Sequence, residues 1–166
     1  MKKISSDIID ELVEQKIIEA NLDQYGDMSK QIRQATLEEL ADADVLLHAI
    51  TDALLGATAC GDIGELFPDT DPANKGRDSA EMLRAAADRV AAAGFRVVNL
   101  DCVIFAQRPK ILPHRPRIRG RIAGILGIDE GAVWLKAKTG EGVGPIGEEQ
   151  AIAAECVVLL ERPPIG

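Results

Sequence analysis

Residues 79–104 read Ser79-Ala80-Glu81-Met82-Leu83-Arg84-Ala85-Ala86-Ala87-Asp88-Arg89-Val90-Ala91-Ala92-Ala93-Gly94-Phe95-Arg96-Val97-Val98-Asn99-Leu100-Asp101-Cys102-Val103-Ile104, and within them the hydrophobic period changes once. Asp78 and Glu81 supply the cap and the acidic first turn of a helix from Ser79 to Ala93, and Gly94 stands where a glycine ends a helix. Beyond it, Val98, Leu100, Cys102 and Ile104 alternate with Asn99, Asp101 and Val103, which predicts a strand with one face more apolar than the other. A helix delivering the chain to a strand predicts a mixed fold, and the same alternation recurs downstream. The pattern is α+β or α/β, and the fold class taken from it is α+β, a short sheet covered by helices.

Working outward, Gln107 to Pro116 is a proline-punctuated basic loop. It leads into a helix whose buried stripe is Ile118, Ile122, Ile125 and Leu126, closed by Gly127. Val133 to Ala137 is the next strand. After a Gly-rich turn, Ile152, Ala154, Cys156, Val158 and Leu160 line one face of a final strand. Upstream, Gly61 to Pro72 is a loop punctuated by Gly, Asp and Pro, too irregular for either period. Before it, Thr36-Leu37-Glu38-Glu39 reads as a capping box opening a helix that runs to about Gly56. Ile8, Ile9, Leu12, Val13 and Ile17 recur at helical spacing between Ser5 and Ala20, behind Asp7 and Asp10, and Met28, Ile32 and Ala35 suit a short second helix. The segment 5–56 is therefore read as helical throughout, with no strand in it.

The chain has 166 residues, 46% of them hydrophobic, enough for one substantial core and hence one domain. A net charge of -8 argues against a general nucleic-acid binder, because phosphate neutralisation needs a basic face. The basic run Arg108, Lys110, Arg115, Arg117, Arg119 and Arg121 lacks interleaved aromatics, so it does not change that reading. No apolar run approaches the roughly 20 residues of a membrane span, and Met1-Lys2-Lys3 is not followed by an apolar signal core, so a cytoplasmic protein is expected. Cys60, Cys102 and Cys156 are widely spaced without a Cys-x-x-Cys pair and are expected to be packed thiols.

Four stretches together resemble the 2-C-methyl-D-erythritol 2,4-cyclodiphosphate synthase family, in the family's order and at about its spacing. They are Asp42 to Gly56, Gly61 to Pro72, Ala106 to His114, and Lys136 to Gly144, and the resemblance extends over about residues 41–160. It implies a cytoplasmic homotrimer with active sites between adjacent subunits. It also implies metal-dependent cyclisation of 4-diphosphocytidyl-2-C-methyl-D-erythritol 2-phosphate with release of CMP, in the isoprenoid route that bypasses mevalonate. A phosphate attacking a diphosphate concentrates negative charge, so such catalysis is mainly positioning and charge neutralisation.

By that resemblance His48 is a zinc ligand. Taken alone, the stripe Asp44, His48 and Asp52, one helical turn apart, reads as a solvated or capped helix face. Asp62 and Gly64 would bind the methylerythritol, with Asp69, Asp71 and Lys75 close by; the same acids also suit Asx turns before Pro72. Ala106, Lys110, Ile111 and Leu112 would recognise the cytidine end, mostly through backbone groups fixed by Pro109 and Pro113. Lys138, Thr139 and Glu141 would act on the diphosphate, Glu141 through a magnesium or manganese ion, while glycines expose N–H groups to phosphate. A plain Gly-rich hairpin is the alternative there. His114 is assigned a structural role.

The N-terminal 40 residues depart from the family's first strand and hairpin. The only histidines are His48 and His114, so no Asp-x-His pair exists, and Leu40-Ala41 stands where members carry His-Ser. Zinc is therefore expected to be absent or weak, with Asp44 or Asp52 as candidates for a substitute carboxylate. Glu148-Glu149 occupies the place of a family Arg near the trimer axis, and Lys138 that of a frequent Thr. Two readings follow. One is an enzyme of the family with a divergent N-terminus, which retains cyclase activity through a rearranged metal site or has it lost or impaired. The other is an inactive homotrimeric scaffold, natural or engineered, whose N-terminal helices serve folding, self-assembly or a second component.

Overall fold

The computed structural model describes residues 44–162 of the chain. Asp44–Ala57 forms helix α1, Ile63–Leu66 the single turn α2, Ser79–Ala92 helix α3, Arg115–Leu126 helix α4 and Gly144–Gly147 the single turn α5. The strands are Arg96–Phe105 (β1), Val133–Lys138 (β2) and Ala153–Glu161 (β3). The helices expected over 5–35 and the Thr36 capping box lie outside the described residues.

The change of period at Gly94 is realised in the backbone. The Asp78 carboxylate accepts the Ala80 N–H and caps α3. At the other end Gly94 adopts φ +83, a conformation that favours glycine. The chain then enters β1, the middle strand of a sheet ordered β2-β1-β3. β2 runs parallel to β1, from Leu100 opposite Val133 to Phe105 opposite Lys138. β3 runs antiparallel to it, with Cys102 opposite Cys156 and Phe105 opposite Ala153. A parallel neighbour requires a crossover rather than a hairpin, and the loop and helix α4 between β1 and β2 provide it.

Alternation decides which side of the sheet is covered. Leu100, Cys102 and Ile104 of β1 and Val133 and Leu135 of β2 are buried, together with Leu46, Leu47, Ile50 and Leu54 of α1, Leu83 and Val90 of α3, and Ile118 and Ile122 of α4. The opposite side is open: Trp134 is 47% exposed, Val157 72% and Leu159 55%. Polar groups share that side, where Lys136 Nζ meets Asp101 Oδ2 at 2.6 Å. The guanidinium groups of Arg115 and Arg119 each lie 5.1 Å from the centre of the Trp134 ring, a cation–π arrangement.

Four details differ from the sequence reading. The segment Gly61 to Pro72 is not wholly irregular, because Asp62 accepts the Glu65 N–H and starts the turn α2. On α4 the stripe comprises Ile118, Ile122 and Ala123, while Ile125 and Leu126 are half-buried. By the helical period 125 still shares a face with 118 and 122, but Ile125 and Leu126 form the end of α4, which the core covers less completely. Ile152 precedes β3 and is 38% exposed. Of the cysteines, Cys102 is buried as expected, but Cys60 and Cys156 are only half-buried, and all three are free thiols.

Leu54 is fully buried, so Leu54→Ala is expected to lower stability by about 2–5 kcal/mol. A fall in the urea midpoint at unchanged m-value would register it.

Candidate active site

Because β1 and β2 are parallel, their carboxyl ends lie at one edge of the sheet, with Phe105 opposite Lys138. The loops that leave them, 106–112 and 138–144, therefore start side by side. The Ala106 N–H donates to the Lys138 carbonyl at 2.9 Å and ties the two together. Ligands of open α/β sheets are held at such carboxyl ends. In the first loop Ala106 and Ile111 are buried anchors, and Lys110 and Leu112 are exposed between and after them. The Arg108–Pro109 peptide is cis. The His114 N–H donates to the Ile111 carbonyl, which starts the turn leading into α4. His114 itself sits at the N-cap position of α4 without a side-chain cap bond.

The second loop is shaped by backbone approaching backbone. A Cβ on Gly140 would lie 2.3 Å from the Gly147 nitrogen, and one on Gly147 would lie 2.6 Å from the Gly142 carbonyl carbon. Only glycine permits that contact. The loop therefore folds directly against α5 and leaves Lys138, Thr139 and Glu141 exposed. Glu141 stands at φ +53. The simple hairpin alternative does not hold here, since a helical turn and not a paired strand follows the glycines. Arg108 Nε lies 3.5 Å from Glu149 Oε1, so the acidic pair after α5 is joined to the first loop by an ion pair.

The remaining site residues hang on α1. The stripe Asp44, His48 and Asp52 has a bond for each member. The Ser79 hydroxyl donates to Asp44 Oδ1, and it lies 2.8 Å from His48 Nε2. A hydroxyl has one proton to give, so with that proton on Asp44 the Ser79 oxygen accepts the Nε2–H of His48. The lone pair of His48 is then on Nδ1, the arrangement of a metal-ligating histidine whose other ring N–H is held by a neighbour. Asp52 Oδ1 accepts the Ile63 N–H at 2.8 Å and so fastens α2, with Asp62 and Gly64, to the helix that carries His48. Farther on, Asp71 accepts the Ala73 N–H and Asn74 donates to the Pro68 carbonyl. Arg77 covers the Phe67 ring at 4.8 Å. Asp62 and Asp71 thus make the turn bonds that the plain reading of this loop foresaw, and Asp69 and Lys75 remain exposed on it.

Sequence reasoning overlooked Ser79 and the tether made by Asp52. Ser79 was visible only as the first residue of a helix, and its contacts reach 35 and 31 positions back along the chain. No local period reports such a contact.

The combination of fold and site defines a class. The chain belongs to the YgbB family, whose model matches residues 29–161; the match begins upstream of the boundary near residue 41 drawn from motifs. The chain is 58% identical over 122 residues to the 2-C-methyl-D-erythritol 2,4-cyclodiphosphate synthase of Bordetella pertussis, covering 74% of this chain and 75% of that protein. A solved 2C-methyl-D-erythritol-2,4-cyclodiphosphate synthase superposes with a TM-score of 0.64 at 41% identity, over 69% of this chain and 74% of the other. Its CDP-bound form gives a TM-score of 0.64 at 39% identity over the same shares.

The donor set tests the fit of a zinc ion. Among the described residues no cluster of three or more His, Cys, Asp or Glu side chains is arranged to hold a metal. Asp44 approaches His48 on the Nε2 side, at 4.0 Å, away from the Nδ1 lone pair, and Asp52 is engaged with Ile63. The described residues therefore supply one donor where a catalytic zinc takes three protein ligands.

Gly140→Ala is expected to displace the 138–144 loop and to cost about 1–3 kcal/mol through overpacking. Urea denaturation measures the cost, and amide exchange confined to 138–147 locates it.

Proposed function

We propose that this chain retains the CDP-binding half of the cyclodiphosphate synthase site, and that its cyclisation activity is lost or impaired because its zinc site is incomplete. The observation that carries this reading is the contrast between the two groups of residues. The paired loops at the carboxyl ends of β1 and β2 are joined by the Ala106 to Lys138 bond, whereas His48 stands alone as a zinc donor among the described residues.

In this reading the buried anchors Ala106 and Ile111 fix a backbone that offers N–H and C=O groups to the cytosine end, with Lys110 and Leu112 beside it. Lys138, the Thr139 hydroxyl and the N–H groups of the glycine loop face the diphosphate and offset its charge. Glu141 suits a magnesium-type ion, which usually binds through one or two carboxylates together with substrate phosphates; such an ion neutralises phosphate charge when bound. Asp62 and Gly64, held by Asp52, would take the polyol, with Asp69, Asp71 and Lys75 on the same loop.

The open side of the sheet supports the homotrimer that the resemblance implies. Trp134, Val157 and Leu159 expose apolar surface beside the Asp101–Lys136 pair, the mixture found at subunit interfaces. Sedimentation is expected to give a trimer, and Val157→Asp to give monomers; a monomeric parent protein would refute the assembly.

The functional reading is tested on one preparation. Calorimetry with CDP and magnesium is expected to show binding, metal analysis to show well under one zinc per chain, and CMP release from the substrate to fall at least 100-fold below that of a zinc-replete relative. Stoichiometric zinc with full turnover would establish an intact cyclase. Absence of both CDP binding and zinc would favour the scaffold.

A further inference from the structure

The face of the sheet that packs on the helices carries a feature the nucleotide site does not use. Cys102 on β1 and Cys156 on β3 are direct partners in the antiparallel register, and their sulfur atoms are 3.5 Å apart, with the Cys102 S–H directed at Cys156 Sγ. Directly opposed residues of an antiparallel pair have Cα atoms about 4.5 or 5.5 Å apart, depending on the type of pair. Both values lie within the roughly 4.4–6.8 Å that a disulfide spans. The backbone is therefore already placed for a bond, and rotation of the side chains has to close only the remaining gap between the sulfurs.

The two thiols differ in access. Cys102 is fully buried and Cys156 is half-buried, so an oxidant reaches Cys156 first. The hydrogen bond to Cys156 and burial push the Cys102 thiol well above its ordinary range, so it remains protonated until its partner has been activated. Cys60 follows the end of α1 and takes no part in this pair; its own sulfur is directed at the Thr58 carbonyl.

We propose that Cys102 and Cys156 form a reversible, peroxide-driven cross-strand disulfide that staples β1 to β3. In the first step the Cys156 sulfur donates an electron pair to one oxygen of hydrogen peroxide. The O–O bond breaks, the thiol proton leaves with the other oxygen as water, and Cys156 becomes a sulfenic acid. In the second step the Cys102 sulfur attacks the Cys156 sulfur, the S–O bond breaks, and a second water carries off the Cys102 proton. Two thiols and one peroxide thus yield one disulfide and two waters, each sulfur oxidised by one electron and the peroxide reduced by two. Thiol exchange with a reductant reverses the bond. The staple closes a loop that contains α4, β2, α5 and both strand-end loops, and Cys102 sits on the strand that runs directly into Ala106.

The test treats the full chain, purified reduced, with hydrogen peroxide, and then alkylates the remaining thiols for intact-mass and peptide analysis. The expected result is loss of two hydrogens and of two of the three alkylation sites. A linked peptide pair containing Cys102 and Cys156 should appear, and dithiothreitol should restore it fully to thiols. Cys60→Ser should behave as the parent does, while Cys156→Ser should keep its Cys102 thiol alkylatable after denaturation and show no mass loss. Sulfinic or sulfonic acid at Cys156 with Cys102 still a thiol would overturn the proposal. So would a bond through Cys60, a link between chains, or unchanged thiols after peroxide treatment. Because the parent protein alone gives the decisive masses, misfolding of a variant would not rescue or sink the idea.

Discussion

The pairing of β1 with β2 in parallel is the constraint on which the remainder of the structure rests. An antiparallel partner would have sent the two strand-end loops to opposite edges of the sheet. Parallel pairing places them at one edge, and a single backbone bond from Ala106 to Lys138 fixes their spacing. That choice also compels the crossover through α4, which covers the sheet and supplies Ile118 and Ile122 to the core. The position of the paired loops and the packing of the core are thus two results of one strand direction.

The stripe on α1 illustrates how one set of residues serves architecture and chemistry together. Asp44 and His48 converge on a single hydroxyl from α3, and Asp52 holds the loop containing Asp62 and Gly64. The bonds to Ser79 keep a ligand-like histidine in an oriented state, so the His48 geometry is by itself not a measure of catalytic competence.

Much of the fold was legible because it is written in short-range periods. The helix 79–93, Gly94 and the alternation from Leu100 to Ile104 needed no partner to be read, whereas Val98, read onto the same face, is 37% exposed beside the register shift between Val97 and Asn99; Gly127 closed α4 as expected, at φ +66. Caps at Asp62, Asp71 and Asp78 follow from side-chain reach over two or three residues. What escaped the sequence depends on distant segments meeting: Ser79 with α1, Arg108 with Glu149, and Cys102 with Cys156. The turn α5 escaped for a different reason, since glycine and proline are poor helix formers and only contact with the preceding loop makes Gly144–Gly147 helical. The candidate site residues rest on motif order, because no period distinguishes a ligand-binding loop from an ordinary turn.

The contact between Gly140 and Gly147 leaves no side chain between two stretches of main chain. A joint of that kind has no rotamers to absorb a push, so it acts as a stiff linkage rather than a cushion. Displacement of α5 would move Lys138, Thr139 and Glu141 with it, so the loop and the turn behind it shift as one body or not at all.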